Sequence, residues 1–162
     1  MPLRLALYQP DIPQNAGTLM RMGACLGIPL DVIGPTGFDM RERALRRAGM
    51  DYLATADVTR HGSWERFVAA LHASEPAARL VLLSAHAQTP YTSHHFTCHD
   101  VVLVGRESAG VPPEVVEAAD VSLTIPMRPG HRSLNVAIAA AMVIGEAMRQ
   151  LGGDARREPE QP

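Results

Sequence analysis

Short apolar runs alternate with segments of helical periodicity along this chain. The runs predicted as β-strands are residues 3–8, 30–34, 52–58, 79–85, 100–105 and 121–126. The predicted helices cover residues 16–26, 41–49, 63–73 and 111–119, and a last one lies in the alanine-rich stretch AIAAAMVIGEAM after residue 136. Because strands that alternate with helices are typical of βαβ units, the pattern predicts a parallel α/β sheet flanked by helices. The continuous apolar runs of the last three strands predict burial on both faces.

Local sequence signals agree with the predicted bounds of these strands and helices. Leu19, Met22 and Leu26 recur at helical spacings of three and four residues. Ser63 is a candidate N-cap, with an arginine three residues later. Prolines stand where the helix over residues 111–119 begins, and Gly49 ends the helix over residues 41–49.

Composition narrows the class of protein. The 162 residues suit one domain, predicted over residues 1–152, and 46% are hydrophobic against 20% charged. No apolar run reaches the roughly 18 to 20 residues of a membrane span. An acid and a proline near the amino terminus argue against a signal peptide, so the expected location is the cytoplasm. Cys25 and Cys98 are predicted to be buried free thiols, and residues 153–162 a disordered tail.

The net charge of −2 argues against a general polyanion binder, although arginines cluster locally. Only 4% of the residues are aromatic, which disfavours broad base-stacking surfaces. A basic face that binds RNA remains possible. The clustered arginines are Arg41, Arg43, Arg46, Arg47, Arg128 and Arg132.

Familiar nucleotide and hydrolase motifs are missing from the sequence. It contains no G-x-G-x-x-G after the first strand, no P-loop and no G-x-S-x-G elbow. The segment HHFTCH at 94–99 resembles a metal-ligand cluster, but no second cluster accompanies it. We therefore predict a polar surface loop there and no metal site.

Three polar loops that contain glycine follow predicted strands. In PDIPQNAGTLMR, Asn15 and Gly17 stand at a helix entry where backbone N–H groups could meet an anion, with Arg21 about two turns further on. The alternative is a capping asparagine and a surface arginine. In LVGRESAGVP, Gly105 and Gly110 flank Glu107, and the alternative is a simple turn with a solvated acid.

The third loop, IPMRPGHRSLN, precedes the alanine-rich helix. Its prolines and Gly130 keep backbone groups out of regular ladders. Ser133 and Asn135 stand at the helix start, where Ser133 alone could be a simple N-cap. Because ligands collect at the carboxyl ends of parallel strands, the three loops together predict one shared site.

These loops, in this order, resemble the SPOUT methyltransferases, and most closely the TrmL-like enzymes that methylate the wobble-ribose 2′-oxygen of tRNA. The similarity runs from about Leu3 to Gly152 and includes GPTGFDMRERALRRAGMDY. It implies a deep trefoil knot in the carboxyl-terminal half and a homodimer whose site draws on both subunits. It also implies S-adenosyl-L-methionine as methyl donor and a wobble cytidine or uridine, in leucine tRNAs, as substrate.

The resemblance also implies roles for individual residues. Arg21 and Asn15 are the expected catalytic residues, with Arg21 placing the ribose hydroxyl. Glu107, Asn135 and Arg132 are expected to contact the substrate. The expected cofactor residues are Leu83, Gly105, Ile125, Met127, Ser133 and Leu134.

The chain departs from its relatives at several positions. Ala137 and Ile138 replace a polar pair, Gly145 replaces a tyrosine, and Arg106 replaces a rigid proline before Glu107. Two alternatives therefore stay open at this point. One is a related enzyme for another tRNA or ribosomal RNA ribose, and the other is an RNA-binding dimer without catalysis.

Overall fold

A seven-stranded, wholly parallel sheet forms the centre of the protein. The computed structural model describes residues 3–40 and 50–152, together with Arg43, Leu45 and Arg47. The strand order is β3-β2-β1-β6-β4-β7-β5, and the predicted parallel α/β class is confirmed. The strands are β1 (Arg4–Tyr8), β2 (Leu30–Ile33), β3 (Val58–His61), β4 (Arg79–Leu83), β5 (Thr89–Pro90), β6 (Asp100–Val104) and β7 (Val121–Thr124).

Helices cover both faces of this sheet. They are α1 (Pro13–Leu26), α2 (Trp64–His72), α3 (Pro113–Ala118) and α4 (Val136–Gln150), with short 3₁₀ turns at Met50–Ala54 and Tyr91–Ser93. Helix α1 begins earlier than predicted because Pro13, with its fixed φ, occupies the first turn. It ends at Gly27, whose φ of 69° is left-handed and suits glycine. The predicted N-cap Ser63 is confirmed, since its hydroxyl accepts from Arg66 N–H at 3.4 Å.

Alternating residues of β1 divide the core into two layers. Leu5 and Leu7 pack in the layer that α1 and α4 cover, whereas Ala6 and Tyr8 pack with Phe67 of α2. Burial of these side chains contributes roughly 25 cal/mol per Å² of apolar surface, which is the main stabilising term of the fold. The central strand β6 is buried along its whole length, as predicted.

Three strand predictions were wrong or incomplete. Residues 52–58 are not a strand, because a 3₁₀ turn comes first and β3 begins only at Val58. The two-residue strand β5 was missed because it is too short to show a pattern. Strand β7 lies next to this short edge strand, and of its residues only Leu123 is fully buried, so the expected burial on both faces fails there.

A buried carboxylate stands at the amino edge of the sheet. Asp100 is fully buried and accepts hydrogen bonds from the Arg79 guanidinium at 2.8 and 2.9 Å. Thr97 donates to it from its hydroxyl at 2.9 Å and from its backbone N–H at 3.2 Å, and His94 Nε2 lies 3.4 Å away. Burial raises the pKa of Asp100, but the hydrogen bonds from Arg79 and Thr97 outweigh it and hold the pKa below 3.8.

This arrangement corrects the prediction for HHFTCH. His94 and Phe96 are largely buried, so the segment is a packed connection and not a simple surface loop. Gln150, at the end of α4, donates to the His94 carbonyl at 2.9 Å and accepts from Phe96 N–H at 2.9 Å. Among the described residues, no group of three or more histidine, cysteine or acidic side chains could hold a metal ion.

Other predictions have simple outcomes. Both cysteines are free, but Cys25 is exposed and Cys98 half-buried, so the prediction of burial was wrong. Arg43, Leu45 and Arg47 are helical, in agreement with the predicted helix. Arg41, Arg46 and the tail 153–162 lie outside the described residues. No helix within the described part of the chain is both long and apolar enough to cross a bilayer.

Candidate active site

The three polar loops meet at the carboxyl edge of the sheet. The first loop (residues 9–12, leading into α1) follows β1, the second (residues 105–112) follows the neighbouring β6, and the third (residues 125–135) follows β7. Because every strand is parallel, all three leave the sheet at the same edge. Hydrogen bonds between their side chains then join them into one cluster.

Glu107 lies at the centre of this cluster. Its Oε1 accepts a hydrogen bond from Asn15 Nδ2 at 3.2 Å, and its Oε2 accepts one from Asp11 N–H at 3.0 Å. Both partners come from the segment after β1. Glu107 is therefore held by the first loop and is not the solvated acid of a simple turn.

Asn135 connects the third loop to the same cluster. Its Nδ2 donates to Asn15 Oδ1 at 2.9 Å, while its Oδ1 accepts from Ala137 and Ile138 N–H at 2.9 and 3.3 Å. One amide thus caps α4 and also binds Asn15. The structure brings together Asn15, Glu107 and Asn135, and it corrects the alternative in which Ser133 would cap the helix.

The role expected for the backbone near Asn15 needs correction. Helix α1 begins before this residue, and Asn15 N–H donates to the Ile12 carbonyl at 3.2 Å, so it is not open to an anion. Gly17 is buried inside the helix. What Asn15 offers the site is its side chain.

Asp11 belongs to the cluster, although the sequence analysis missed it. Its carboxylate accepts from Glu107 N–H at 3.2 Å and from the Ser108 hydroxyl, and Arg106 Nε lies 3.7 Å away. Its interaction with the Glu107 side chain, outweighing burial, lowers the pKa of Asp11 to about 2. The sequence signal that could have identified Asp11 is a carboxylate flanked by prolines in a loop after a buried strand.

The neighbouring carboxyl group shifts in the opposite direction. Burial raises the pKa of Glu107, and the interaction with the Asp11 side chain raises it further. The two acids therefore titrate as one coupled pair, in which Asp11 retains the charge to lower pH. Such a pair at a strand edge is a recognised mark of a functional site.

The expected cofactor residues occupy the ends of β4, β6 and β7. Leu83 ends β4 and Ile125 follows β7; both are half-buried, as is Met127. Ser133 and Leu134 are exposed on the third loop. Among the described residues, backbone groups between Pro126 and Leu134 form one hydrogen bond to another backbone group, from His131 N–H to the Arg128 carbonyl.

This composition fits a nucleoside methyl donor. An adenine ring needs apolar side chains beside backbone donors and acceptors, and the ends of β4 and β7 supply both. Gly105 is also required by the shape of the second loop. A Cβ there would lie 2.7 Å from the Gly110 carbonyl carbon, so glycine is required by the loop's own closure, with reciprocal hydrogen bonds between Arg106 and Gly110 at 2.9 Å.

Two expected RNA contacts lie on the surface. Arg21 is exposed on α1, and its guanidinium carbon stands 5.2 Å from the centre of the Tyr52 ring, a cation–π distance. Arg132 is exposed on the third loop.

Known proteins resemble this chain over almost its full length. A tRNA (cytidine(34)-2′-O)-methyltransferase of Beijerinckia indica is 55% identical over 152 residues, which is 94% of each chain. A solved structure described as giving insights into the 2-OH methylation of C/U34 on tRNA superposes with a TM-score of 0.88 at 42% identity, covering 93% of this chain and 97% of that one.

A further solved structure is that of the SpoU methyltransferase AviRb from Streptomyces viridochromogenes in complex with the cofactor AdoMet. It is 26% identical with a TM-score of 0.83, covering 91% of this chain and 57% of that one. The model of the SpoU rRNA Methylase family matches residues 2–145. With the fold, the joined loops and this match in agreement, the chain belongs to the SpoU methylase family.

Proposed function

We propose that this protein is a tRNA (cytidine(34)-2′-O)-methyltransferase that uses S-adenosyl-L-methionine to methylate the wobble ribose, of cytidine or uridine, in leucine tRNAs. The observation that carries the proposal is that Asn15, Glu107 and Asn135 meet in one site. This site lies in a chain whose near-full-length relative has that activity. We infer a cytoplasmic location, because tRNA is the proposed substrate.

In the reaction, a ribose 2′-oxygen would form a bond to the methyl carbon as the bond from that carbon to the sulfonium sulfur breaks; the sulfur keeps the electron pair, and the 2′-hydroxyl loses its proton. The methyl donor, when bound, supplies an electrophilic methyl group. A hydroxyl is a weak nucleophile, so holding it in line and removing its proton must lower the barrier. Arg21, permanently charged, binds the ribose and its phosphate and so places the hydroxyl. Asn15, fixed from both sides by Glu107 and Asn135, presents a rigid amide to the same nucleotide.

The methyl donor binds where the strand ends are apolar and the backbone is open. Leu83, Ile125, Met127 and Leu134 line the adenine slot, and Ser133 with the second loop at Gly105 supplies polar and backbone contacts. Glu107, Asn135 and Arg132 contact the RNA. The exposed arginines Arg43 and Arg47 extend the basic surface for the anticodon stem.

We also infer that the enzyme works as a homodimer with a trefoil knot in its carboxyl-terminal half. Three large apolar side chains, Leu134, Ile138 and Met142, are 41%, 57% and 38% exposed on or beside α4. Exposed apolar groups grouped in this way mark an interface. The departure at Ile138 thus supports packing against a partner. The chain acts as a single domain over residues 1–152.

Nucleoside mass spectrometry tests the assignment. We expect 2′-O-methylcytidine or 2′-O-methyluridine at position 34 to disappear from leucine tRNAs of cells that lack the gene. Purified protein should restore it on unmodified tRNA but transfer nothing to tRNA already methylated there. Methylation at another ribose, or none, would contradict the assignment and favour one of the two alternatives.

The role of Arg21 has its own test. Replacing Arg21 with alanine should abolish methyl transfer, with a loss of about 10²-fold or more, because a hydroxyl misplaced by about 1 Å already costs about that much. Calorimetric affinity for S-adenosyl-L-methionine should stay unchanged. A loss of cofactor affinity would contradict the role given to this residue.

A further inference from the structure

We propose that Asp11 is a positioning residue for methyl transfer: it fixes the Glu107 carboxylate, and through it Asn15, in the geometry that the reaction requires. The inference rests on the proposed function and adds a residue to its machinery. Asp11 acts through its neighbours, since its recorded contacts are with the second loop and not with Asn15 or Asn135.

The contacts between Asp11 and Glu107 are reciprocal. Asp11 N–H donates to Glu107 Oε2 at 3.0 Å, and Glu107 N–H donates to Asp11 Oδ1 at 3.2 Å. Each residue thus binds the other's backbone through its side chain. The two loops cannot move relative to each other without breaking both bonds, so the pair sets the position of the first loop on the second.

The chemistry of the site requires a carboxylate at position 11. Three donors of the second loop face it: Glu107 N–H, the Ser108 hydroxyl and, at ion-pair distance, Arg106 Nε. A carboxylate is an acceptor with two oxygens, whereas an amide has one acceptor oxygen and adds donors. Arg106 also offsets the repulsion between two acids held side by side.

The effect reaches the third loop through a chain of hydrogen bonds. Glu107 Oε1 accepts from Asn15 at 3.2 Å, Asn15 accepts from Asn135 at 2.9 Å, and Asn135 caps α4. Releasing Glu107 frees the amide of Asn15. Because a misplacement of about 1 Å can cost about 10²-fold in rate, a small loss of order here has a large effect.

The second loop keeps its shape without Asp11. Arg106 and Gly110 bind each other through reciprocal backbone hydrogen bonds of 2.9 Å, which close the loop by themselves. The proposed methyl-donor residues lie on this loop and on the ends of β4 and β7. Loss of Asp11 is therefore expected to change turnover and not cofactor affinity.

The test compares Asp11→Ala and Asp11→Asn with the wild type on tRNA that lacks the wobble methyl group. We expect kcat to fall about 10- to 100-fold in Asp11→Ala. Asp11→Asn, which keeps one acceptor for Glu107 N–H, should recover part of that loss and remain about 3- to 10-fold below wild type. The calorimetric affinity for S-adenosyl-L-methionine should match the wild type in both variants, whereas the melting temperature should fall because the folded state loses its hydrogen bonds to the ionised Asp11 carboxylate.

The matched control is Asp57→Ala. Asp57 is another aspartate in a connecting segment, but it is exposed, whereas the Asp11 side chain is only 16% exposed, and it precedes β3 at the opposite edge of the sheet. Its variant should keep full kcat. If Asp11→Ala does not fold, Asp11→Asn decides alone, since wild-type kcat in that variant would overturn the role of the carboxylate.

The outcomes separate the two proposals. A wild-type protein with no activity on any tRNA overturns the proposed function. An active wild type with Asp11→Ala equal to Asp57→Ala overturns the role of Asp11 only. A loss of cofactor affinity in Asp11→Ala that accompanies the loss of kcat would also overturn it, because the two losses together indicate a merely structural residue.

Discussion

Two carboxylate-centred networks lie at opposite edges of the same sheet, and they differ in exposure. At the amino edge, Asp100 is fully buried and bound by Arg79 and Thr97. At the carboxyl edge, Glu107 is held by Asp11 and Asn15, which remain partly open to solvent beside a loop with free backbone groups. The first network satisfies its own hydrogen-bonding groups, so we expect it to stabilise the fold. The second leaves hydrogen-bonding groups for a ligand, so we expect it to take part in the proposed methyl transfer.

The stability half of this comparison is tested by Asp100→Ala. Removing one partner of a buried ion pair costs about 3–5 kcal/mol, and the partial exposure of Arg79 points to the lower end. We expect urea unfolding to show a loss of about 3 kcal/mol. The folded fraction should keep wild-type kcat, and a loss of kcat in properly folded protein would contradict the division between the two edges.

The functional half is tested by Glu107→Ala. This variant frees Asn15 and Asp11, so kcat/KM should fall about 10²-fold. The free energy of unfolding should change by less than about 1 kcal/mol, because the site is partly solvated. Methyl-transfer kinetics give kcat/KM, and urea titration of the same preparation gives the free energy of unfolding. A destabilisation as large as that of Asp100→Ala would remove the distinction.

Acid unfolding distinguishes Asp100 from Glu107 by the sign of their pKa shifts. The pKa of Asp100 is lowered in the folded state, so its contribution to stability is present above about pH 3.8 and is lost as the pH falls below that value. Glu107 has a raised pKa and contributes in the opposite sense. We expect Asp100→Asn to flatten the loss of stability as the pH falls below the ordinary aspartate pKa, measured by chemical denaturation at fixed pH. A slope equal to that of the wild type would refute this assignment.

The smallest expected effect concerns the start of α4. Asn135→Asp keeps the oxygen that caps the helix but replaces the amide that donates to Asn15. Stability should therefore stay within about 0.5 kcal/mol of wild type, whereas Asn135→Ala should lose about 1 kcal/mol. Both variants should lose activity. Activity in Asn135→Asp equal to that of the wild type would show that the contact with Asn15 has no role.

The sequence predicted the class of fold and the meeting of the three loops, because both follow from the parallel arrangement of strands. It did not predict which atoms meet. Capping by Asn135 instead of Ser133 depends on a side chain that also reaches Asn15, a contact 120 residues away in sequence. Asp11 escaped notice for the same reason, since its partners are 96 and 97 residues distant.

Two misassignments elsewhere have tertiary causes. Residues 52–58 have strand-like composition, but packing against α1 selects a 3₁₀ turn there, and Tyr52 meets Arg21. The segment at 94–99 was predicted as a surface loop because its partners Arg79 and Gln150, which are distant in sequence, do not show in a local pattern. Propensity gives way in both places to tertiary contacts.

Helix α4 is fastened at both ends, and the fastenings lie at opposite edges of the sheet. Asn135 binds Asn15 beside the site, while Gln150 binds the backbone of residues 94 and 96 at the amino edge. At 15 residues and about 1.5 Å per residue, the helix is a strut about 22 Å long between them. Its length sets how far the third loop can approach Asn15. A chain that ends before Gln150 would therefore lose its contacts with residues 94 and 96 at the amino edge. The proposed active site at the opposite edge would then lose its alignment.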